Sequence, residues 1–285
     1  MLIEEMNHSP QVLTMYPRVL LSSLLRKSNR MLPEQGLRLA NVNIDRKHLS
    51  QYQSVCGFME SSTLPVTYPH MLAFPLHMAL MTRTDFPFPL LGLVHIANRI
   101  TQHRPLPSQQ PLSIECRLGN LQSHDKGQAF SVITQVSMDA EVVWESVSTM
   151  LHRQAQGKSS KQTKESKHSA VAPTPSDIWF LDEGLGRRYA RVSGDFNPIH
   201  LHALSARLFG FPQAIAHGMW SKARCLAALQ PDLPDTYEVD VQFKLPILLP
   251  AQVGFSCYLN EHQRLFGLHD MASGKPHLQG TIIPR

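Results

Sequence analysis

Cysteine is scarce in these 285 residues: Cys56, Cys116, Cys225 and Cys257 stand far apart and no CxxC pair occurs. That spacing excludes a zinc ribbon and offers no disulfide framework, so reduced thiols in a cytoplasmic protein are expected. Charged residues make up only 17% of the chain and hydrophobic residues 42%, a balance that excludes both a disordered chain and a coiled coil. Neither GxGxxG nor GxxxxGK[ST] is present, so no dinucleotide or P-loop site is expected. No Cys/His group has ligand spacing, and the expectation is no metal and no other cofactor. The N-terminus carries Glu4 and Glu5 where an export signal would be basic. The longest uncharged stretch, Ser61–Thr82, is interrupted by Pro65, Pro69 and Pro75 and holds His70 and His77. It reads as a buried soluble segment and not as a membrane span.

What the chain does have is proline, 21 residues of it, and a mild basic excess of +5. Much of that excess sits in residues 156–176, QGKSSKQTKESKHSAVAPTPS, a run of Lys, Ser and Pro that cannot bury itself and reads as a solvated linker. Its lysines are not interleaved with aromatics or arginines, so no nucleic-acid partner is expected. The linker separates a first part, residues 1–155, from a second, residues 177–285, and the two echo each other. Tyr68–Met81 and Gly218–Leu229 read as helices. Alternating Val, Ile, Phe and Thr then mark strands at Leu93–Arg104, Leu112–Leu118, Ala129–Met138 and Val142–Arg153. The second part repeats this at Tyr237–Leu245, Gln252–Leu259, Leu265–Met271 and His277–Ile283. Each part is thus a helix followed by an antiparallel meander, an α+β arrangement.

The stretch Tyr189–Trp220 carries the chemistry. Asn197-Pro198 is a helix-start signal, Ile199–Phe209 reads as one short helix, and Gly210 suits its C-terminal cap. Taken singly, Asp195 reads as a cap and His200 as an ordinary histidine. Together, Gly194-Asp195-x-Asn197-Pro198-x-His200 fixes five positions, a pattern expected by chance on the order of once in ten thousand chains of this size. This run, with Tyr189, Ser193, Gly210-Phe211 and His217-Gly218-Met219, resembles the signature of the (R)-specific enoyl-CoA hydratases, the MaoC-like or hydratase 2 branch of the hotdog-fold superfamily.

That resemblance implies a double hotdog with one active site: a degenerate N-terminal hotdog, the linker, and a catalytic C-terminal MaoC-like hotdog. It implies a hydro-lyase that adds water reversibly to a trans-2-enoyl thioester, giving the (R)-3-hydroxyacyl thioester, in fatty-acid metabolism. Asp195 and His200 would be the acid/base groups and the Gly218 N–H the oxyanion donor, with Ser193, Asn197, His217 and Met219 around the substrate. Such work suits these residues: Asp and His can share one water, and an orphan amide at a helix start is a ready donor to a developing oxyanion. Arg187, Arg188, Arg191, Lys222 and Arg224 are candidates to meet the phosphates of CoA or an acidic carrier protein. The alternatives are a 3-hydroxyacyl-carrier-protein dehydratase using the same residues in reverse, and a non-catalytic acyl-thioester binding module. The expected partner is an acyl-CoA or acyl-carrier-protein thioester, with no membrane, and the chain is expected as a monomeric pseudo-dimer or a homodimer.

Overall fold

A computed structural model describes residues 2–22, 31–153 and 174–285. Most of the expected Lys/Ser/Pro linker therefore lies outside the described residues. The first part runs β1 (Ile3–Met6), α1 (Val12–Ser22), β2 (Gly36–Val42), α2 (Arg46–Cys56), α3 (Tyr68–Met81), β3 (Leu93–Gln102), β4 (Leu112–His124), β5 (Gly127–Met138) and β6 (Glu141–Arg153). The second runs β7 (Asp177–Leu181), α4 (Leu185–Ser193), a 3-10 turn (Pro198–His200), α5 (Ala203–Arg207), α6 (Gly218–Leu229), a second 3-10 turn (Gln230–Asp232), β8 (Tyr237–Phe243), β9 (Ala251–Asn260), β10 (Gln263–Asp270) and β11 (Pro276–Pro284).

All strands belong to one sheet in the order β1-β2-β4-β5-β6-β3-β8-β11-β10-β9-β7. Read outward from the β3/β8 junction, β6, β5, β4 and β2 on one side mirror β11, β10, β9 and β7 on the other. The long helices α3 and α6 are the counterparts each side wraps. This is the double hotdog that the resemblance implied, built on the α+β arrangement of the repeated pattern. Its strands bury alternate residues, as in Leu112, Ile114, Cys116 and Leu118 of β4 and Tyr237, Val239 and Val241 of β8. Helix α3 is apolar nearly all round and buried accordingly. The indole of Trp144 in β6 donates to the Val66 carbonyl at 2.8 Å, anchoring the entry to α3. One apolar core runs through both halves. No helix among the described residues is long and apolar enough to cross a membrane. All four cysteines are free thiols.

The junction is antiparallel, with Ala97 opposite Gln242 and Gln102 opposite Tyr237. On its solvent face Arg99 pairs with Asp240 at 2.8 Å, and so exposed a pair adds at most about 1 kcal/mol. The inner face is different. Lys222 of α6 is fully buried. It donates from Nζ to the Asn98 carbonyl (2.9 Å), Asn98 Oδ1 (2.7 Å) and the Val239 carbonyl (3.2 Å). The Asn98 amide in turn donates to Ser146 and Ser148 of β6. Burial pushes the Lys222 ammonium well below its ordinary pKa. A phosphate-binding role for Lys222, expected from sequence, is thereby corrected: its head group is spent inside the junction.

The sequence also treated Ile199–Phe209 as one helix. It is two pieces, because His202 adopts an extended conformation (φ −147°, ψ 150°) between the 3-10 turn and α5. Elements β1, α1, β2, α2, β7 and α4 were not expected at all.

Substituting Lys222→Met keeps the buried stem and strands three acceptors without a donor. A loss of ~3 kcal/mol in unfolding free energy is expected, read from the urea midpoint; an unchanged midpoint would count against the junction depending on this group.

Candidate active site

Helix α4 buries Leu185, Tyr189 and Val192 and ends at Gly194, whose φ of 75° is the left-handed conformation that glycine adopts without strain. From there a ladder of short side-chain contacts shapes the next six residues. The Asp195 N–H donates to Ser193 Oγ (3.2 Å), the Asn197 N–H to Asp195 Oδ1 (3.1 Å) and the Ile199 N–H to Asn197 Oδ1 (3.4 Å). Pro198 then starts the 3-10 turn that ends on His200. The turn folds back onto α4 so closely that a Cβ on Gly186 would sit 1.9 Å from the His200 carbonyl oxygen. Only glycine permits that approach.

His200 is buried and its Nδ1 lies 2.8 Å from the Ile215 carbonyl. A carbonyl only accepts, so Nδ1 carries the proton and Nε2 presents a lone pair. His217 is buried beside it, its ring stacked on that of His200 at 3.7 Å between centroids, and its Nε2 donates to the Asp195 backbone carbonyl at 3.0 Å. The Asp195 carboxylate is partly exposed and stands 3.9 Å from the same Nε2. Burial holds His200 below its ordinary 6.5, outweighing the nearby Asp195 and the Ile215 carbonyl that act in the other direction. Burial first, and His200 second, hold His217 lower still. Both imidazoles are therefore neutral near pH 7, as so close a stack of rings requires. One donor atom from each of Asp195, His200 and His217 lies within 4.8 Å of the others. That triangle is wide enough to share one water, or to hold a cation.

Gly218 opens α6 with His217 as its extended N-cap residue. From Ala214 to Ala223 every other residue is buried, and Gly218 alone is partly open. Its N–H has no backbone partner within the described residues and stands at the positive end of the helix. The structure thus brings Asp195, His200, His217 and Gly218 into one cleft. Ser193 and Asn197 hold the turn, and Met219 packs into the main core. Of the candidate cations, Arg187 donates to the Leu201 carbonyl, Arg188 is bound to Asp182, and Arg224 lies 4.3 Å over the Trp179 ring. Arg188 and Arg191 line a groove of about 430 Å³ between α4 and α2.

The first half repeats the frame without the chemistry. Helix α2 also ends on a left-handed glycine, Gly57 (φ 83°), and Phe58 follows where Asp195 follows Gly194. Eleven positions separate Gly57 from the start of α3 at Tyr68, against twenty-four from Gly194 to Gly218. The segment that carries His200 has no counterpart there. The helix start itself is filled by Tyr68, fully buried, with its hydroxyl 3.1 Å from His48 Nδ1.

Residues of the first half nevertheless reach the cleft, which local sequence gave no signal for. A side chain on Gly194 would meet Phe74 of α3 at 3.6 Å and Val12 of α1 at 3.7 Å. His95 packs on Phe243 (5.0 Å between centroids), whose ring lies against Gly218.

Comparison with known proteins agrees with this frame. The MaoC like domain family matches residues 154–281. The 3-hydroxyacyl-thioester dehydratase X of Mycobacterium tuberculosis (strain ATCC 25618 / H37Rv) is 36% identical over 251 residues, covering 88% of this chain and 90% of that protein. The crystal structure of HtdX from Mycobacterium tuberculosis superposes with a TM-score of 0.78 at 34% identity, over 88% of this chain and 100% of that one. A MaoC-like dehydratase from Phytophthora Capsici gives a TM-score of 0.70 at 21% identity, over 89% and 95%. A Mycobacterium tuberculosis protein described as a double hotdog gives 0.53 at 12% identity, over 88% and 96%. The chain belongs to the MaoC-like dehydratase family.

Proposed function

We propose that this protein interconverts (R)-3-hydroxyacyl and trans-2-enoyl thioesters, with Asp195 and His200 as the acid/base pair and the Gly218 N–H as oxyanion donor. The observation that carries this reading is the buried His200, its Nδ1 engaged by the Ile215 carbonyl, with a ring nitrogen within 4.8 Å of an Asp195 carboxylate oxygen. In the hydration direction, water bound between the two loses a proton to Nε2 as its oxygen bonds to C3. The C2=C3 electrons move toward the thioester carbonyl, whose oxygen gains charge opposite Gly218, and the proton taken up from water is passed from the His200–Asp195 pair to C2, which restores both groups. The sum is the addition of H and OH, with nothing else consumed. The name of the Mycobacterium tuberculosis relative favours the reverse, dehydrating direction.

The catalytic unit in this reading is residues 177–285, with residues 1–155 as a degenerate hotdog that takes the place of a second subunit and 156–176 as the connection. A single chain then suffices as a pseudo-dimer. The free cysteines suit the reducing cytoplasm. The groove between α4 and α2, with Arg188 and Arg191, suits the phosphates of CoA or the acidic surface of a carrier protein.

Asp195→Asn and His200→Gln should each lower kcat at least ~100-fold without loss of folding. The measurement is loss of the conjugated-enoyl absorbance of enoyl-CoA substrates, with chiral analysis of the product. Near-full activity of either variant, or an (S) product, would remove the assignment.

The pH profile has a definite sign. Protonating Nε2 of His200 silences the base, and burial places that event below 6.5. kcat/KM should therefore hold as the pH falls through 6.5 and decline only beneath it, in a series from about pH 5 to 8. An acid limb centred at or above 6.5 would contradict the role given to His200.

The same three side chains could hold a cation, and the two readings separate cleanly. Under the acid/base reading, dialysis against a chelator leaves the rate unchanged. Loss of activity together with one metal per chain by elemental analysis would replace it with a metal-assisted one.

A further inference from the structure

Helix α5 shows an apolar face to solvent. Its underside is closed: Ala206 is fully buried, and Ser205 Oγ donates to the Pro198 carbonyl at 2.7 Å, which ties the helix to the 3-10 turn that ends on His200. Its outer side carries Leu204 in the first turn and Leu208 as the helical C-cap residue, four apart and so on one face, 75% and 85% exposed. Single exposed leucines are ordinary on a protein surface, but two aligned on one short helix beside a catalytic turn are not scattered. The first half has no such helix, since only eleven positions separate Gly57 from Tyr68.

Cations bracket this leucine pair. Arg187 of α4 donates to the Leu201 carbonyl at the entry to α5 (2.9 Å), and Arg207, the last residue of α5, donates to the Pro212 carbonyl (3.3 Å). A carbonyl partner leaves the guanidinium charge uncompensated. Neither is ion-paired among the described residues, and nor is Arg191 one turn along α4, whereas Arg38, Arg83, Arg99 and Arg104 each face a carboxylate. From Asp182 to Gly218 the chain holds four arginines and three acids. Asp182 is taken by Arg188 and Asp195 belongs to the catalytic turn, which leaves Glu183 against three arginines.

Charge and shape together select the partner. A second copy is opposed by electrostatics: the chain is itself basic, at +5, and apposing two such patches sets arginine against arginine. The phosphates of CoA match the arginines alone. Two leucines on a convex helix face match the apolar side chains of a protein surface. An acidic protein satisfies both features. Seated on α5, it stands beside the catalytic turn, where a thioester on its own flexible arm meets the cleft.

We propose that the thioester reaches this site on an acidic carrier protein that docks on α5, with Leu204 and Leu208 as its apolar anchors and Arg187, Arg191 and Arg207 as the cationic rim. The proposal rests on the dehydratase reading, and the experiment separates the two. A trans-2-octenoyl group is supplied to the full-length protein on CoA and on an acidic acyl carrier protein, and its hydration is followed with both. The wild type should show the higher kcat/KM with the carrier protein. Leu204→Ser combined with Leu208→Ser should lower kcat/KM for the carrier-bound substrate about tenfold, through KM. The value for the CoA substrate should stay within about twofold and the melting temperature should not change. Arg207→Glu should act in the same direction. Equal losses on both substrates, no loss on the carrier-bound one, or a wild type that favours CoA overturns the docking while leaving the dehydratase reading intact. Dissociation of a wild-type dimer by the leucine pair, read by sedimentation, does the same, since a second copy then occupies α5. No turnover of either substrate by the wild type removes the dehydratase reading and this proposal with it.

Discussion

The ammonium of Lys222 ends inside the molecule, on the carbonyl and side chain of Asn98 and the carbonyl of Val239. One lysine thereby joins α6 of the second half to β3 of the first and to β8 across the junction. A fully buried cationic head group is tolerated only when its donors are met, so the register of β3 against β8 and the depth of α6 are set together. Shifting β3 by one residue would turn Asn98 to the solvent face and bring Ala97 or Arg99 opposite Lys222. Gly218 lies one turn upstream of Lys222 on α6. The point from which its N–H faces the cleft is in this sense fixed by a polar contact with the opposite half.

The cleft works with neutral imidazoles where charge would be disruptive. His200 and His217 stack at 3.7 Å, and a second group, His70, His77 and His95, lies behind Phe243 in the first half. Burial drives His77 to about 3 and His95 to about 4. Beside His200 and His217 stands the partly exposed carboxylate of Asp195, and the N-terminal end of α6 presents the Gly218 N–H.

Long elements were legible in the sequence because each is tied to a periodicity. Helices Tyr68–Met81 and Gly218–Leu229 appear with the bounds expected, and every strand of both meanders is present, extended or trimmed by a few residues. The motif from Gly194 to His200 was legible for another reason: it is a turn held by its own side chains, Ser193, Asp195 and Asn197 each accepting an amide two residues on. What escaped notice depends on partners remote in the chain. Helix α1 contains Pro17 and has no caps among the described residues, and it is held by Phe74, Met78 and Leu90. Helix α2 is polar on average and leans on α4. Lys222 looked like a surface cation because nothing near it in sequence announces Asn98, more than a hundred residues away.

A hotdog pair assembled from two identical chains carries every substitution twice, once on each side of its axis. Here the two sides are written separately along one chain. The first could lose the carboxylate position to Phe58, close its helix start with Tyr68 and shorten the loop between them, while the second kept all three features. Each of those differences placed in a symmetric pair would appear on both sides at once. The covalent joining of the halves is what lets one side present Phe58, Tyr68 and a short loop where the other presents Asp195, Gly218 and the segment that carries His200.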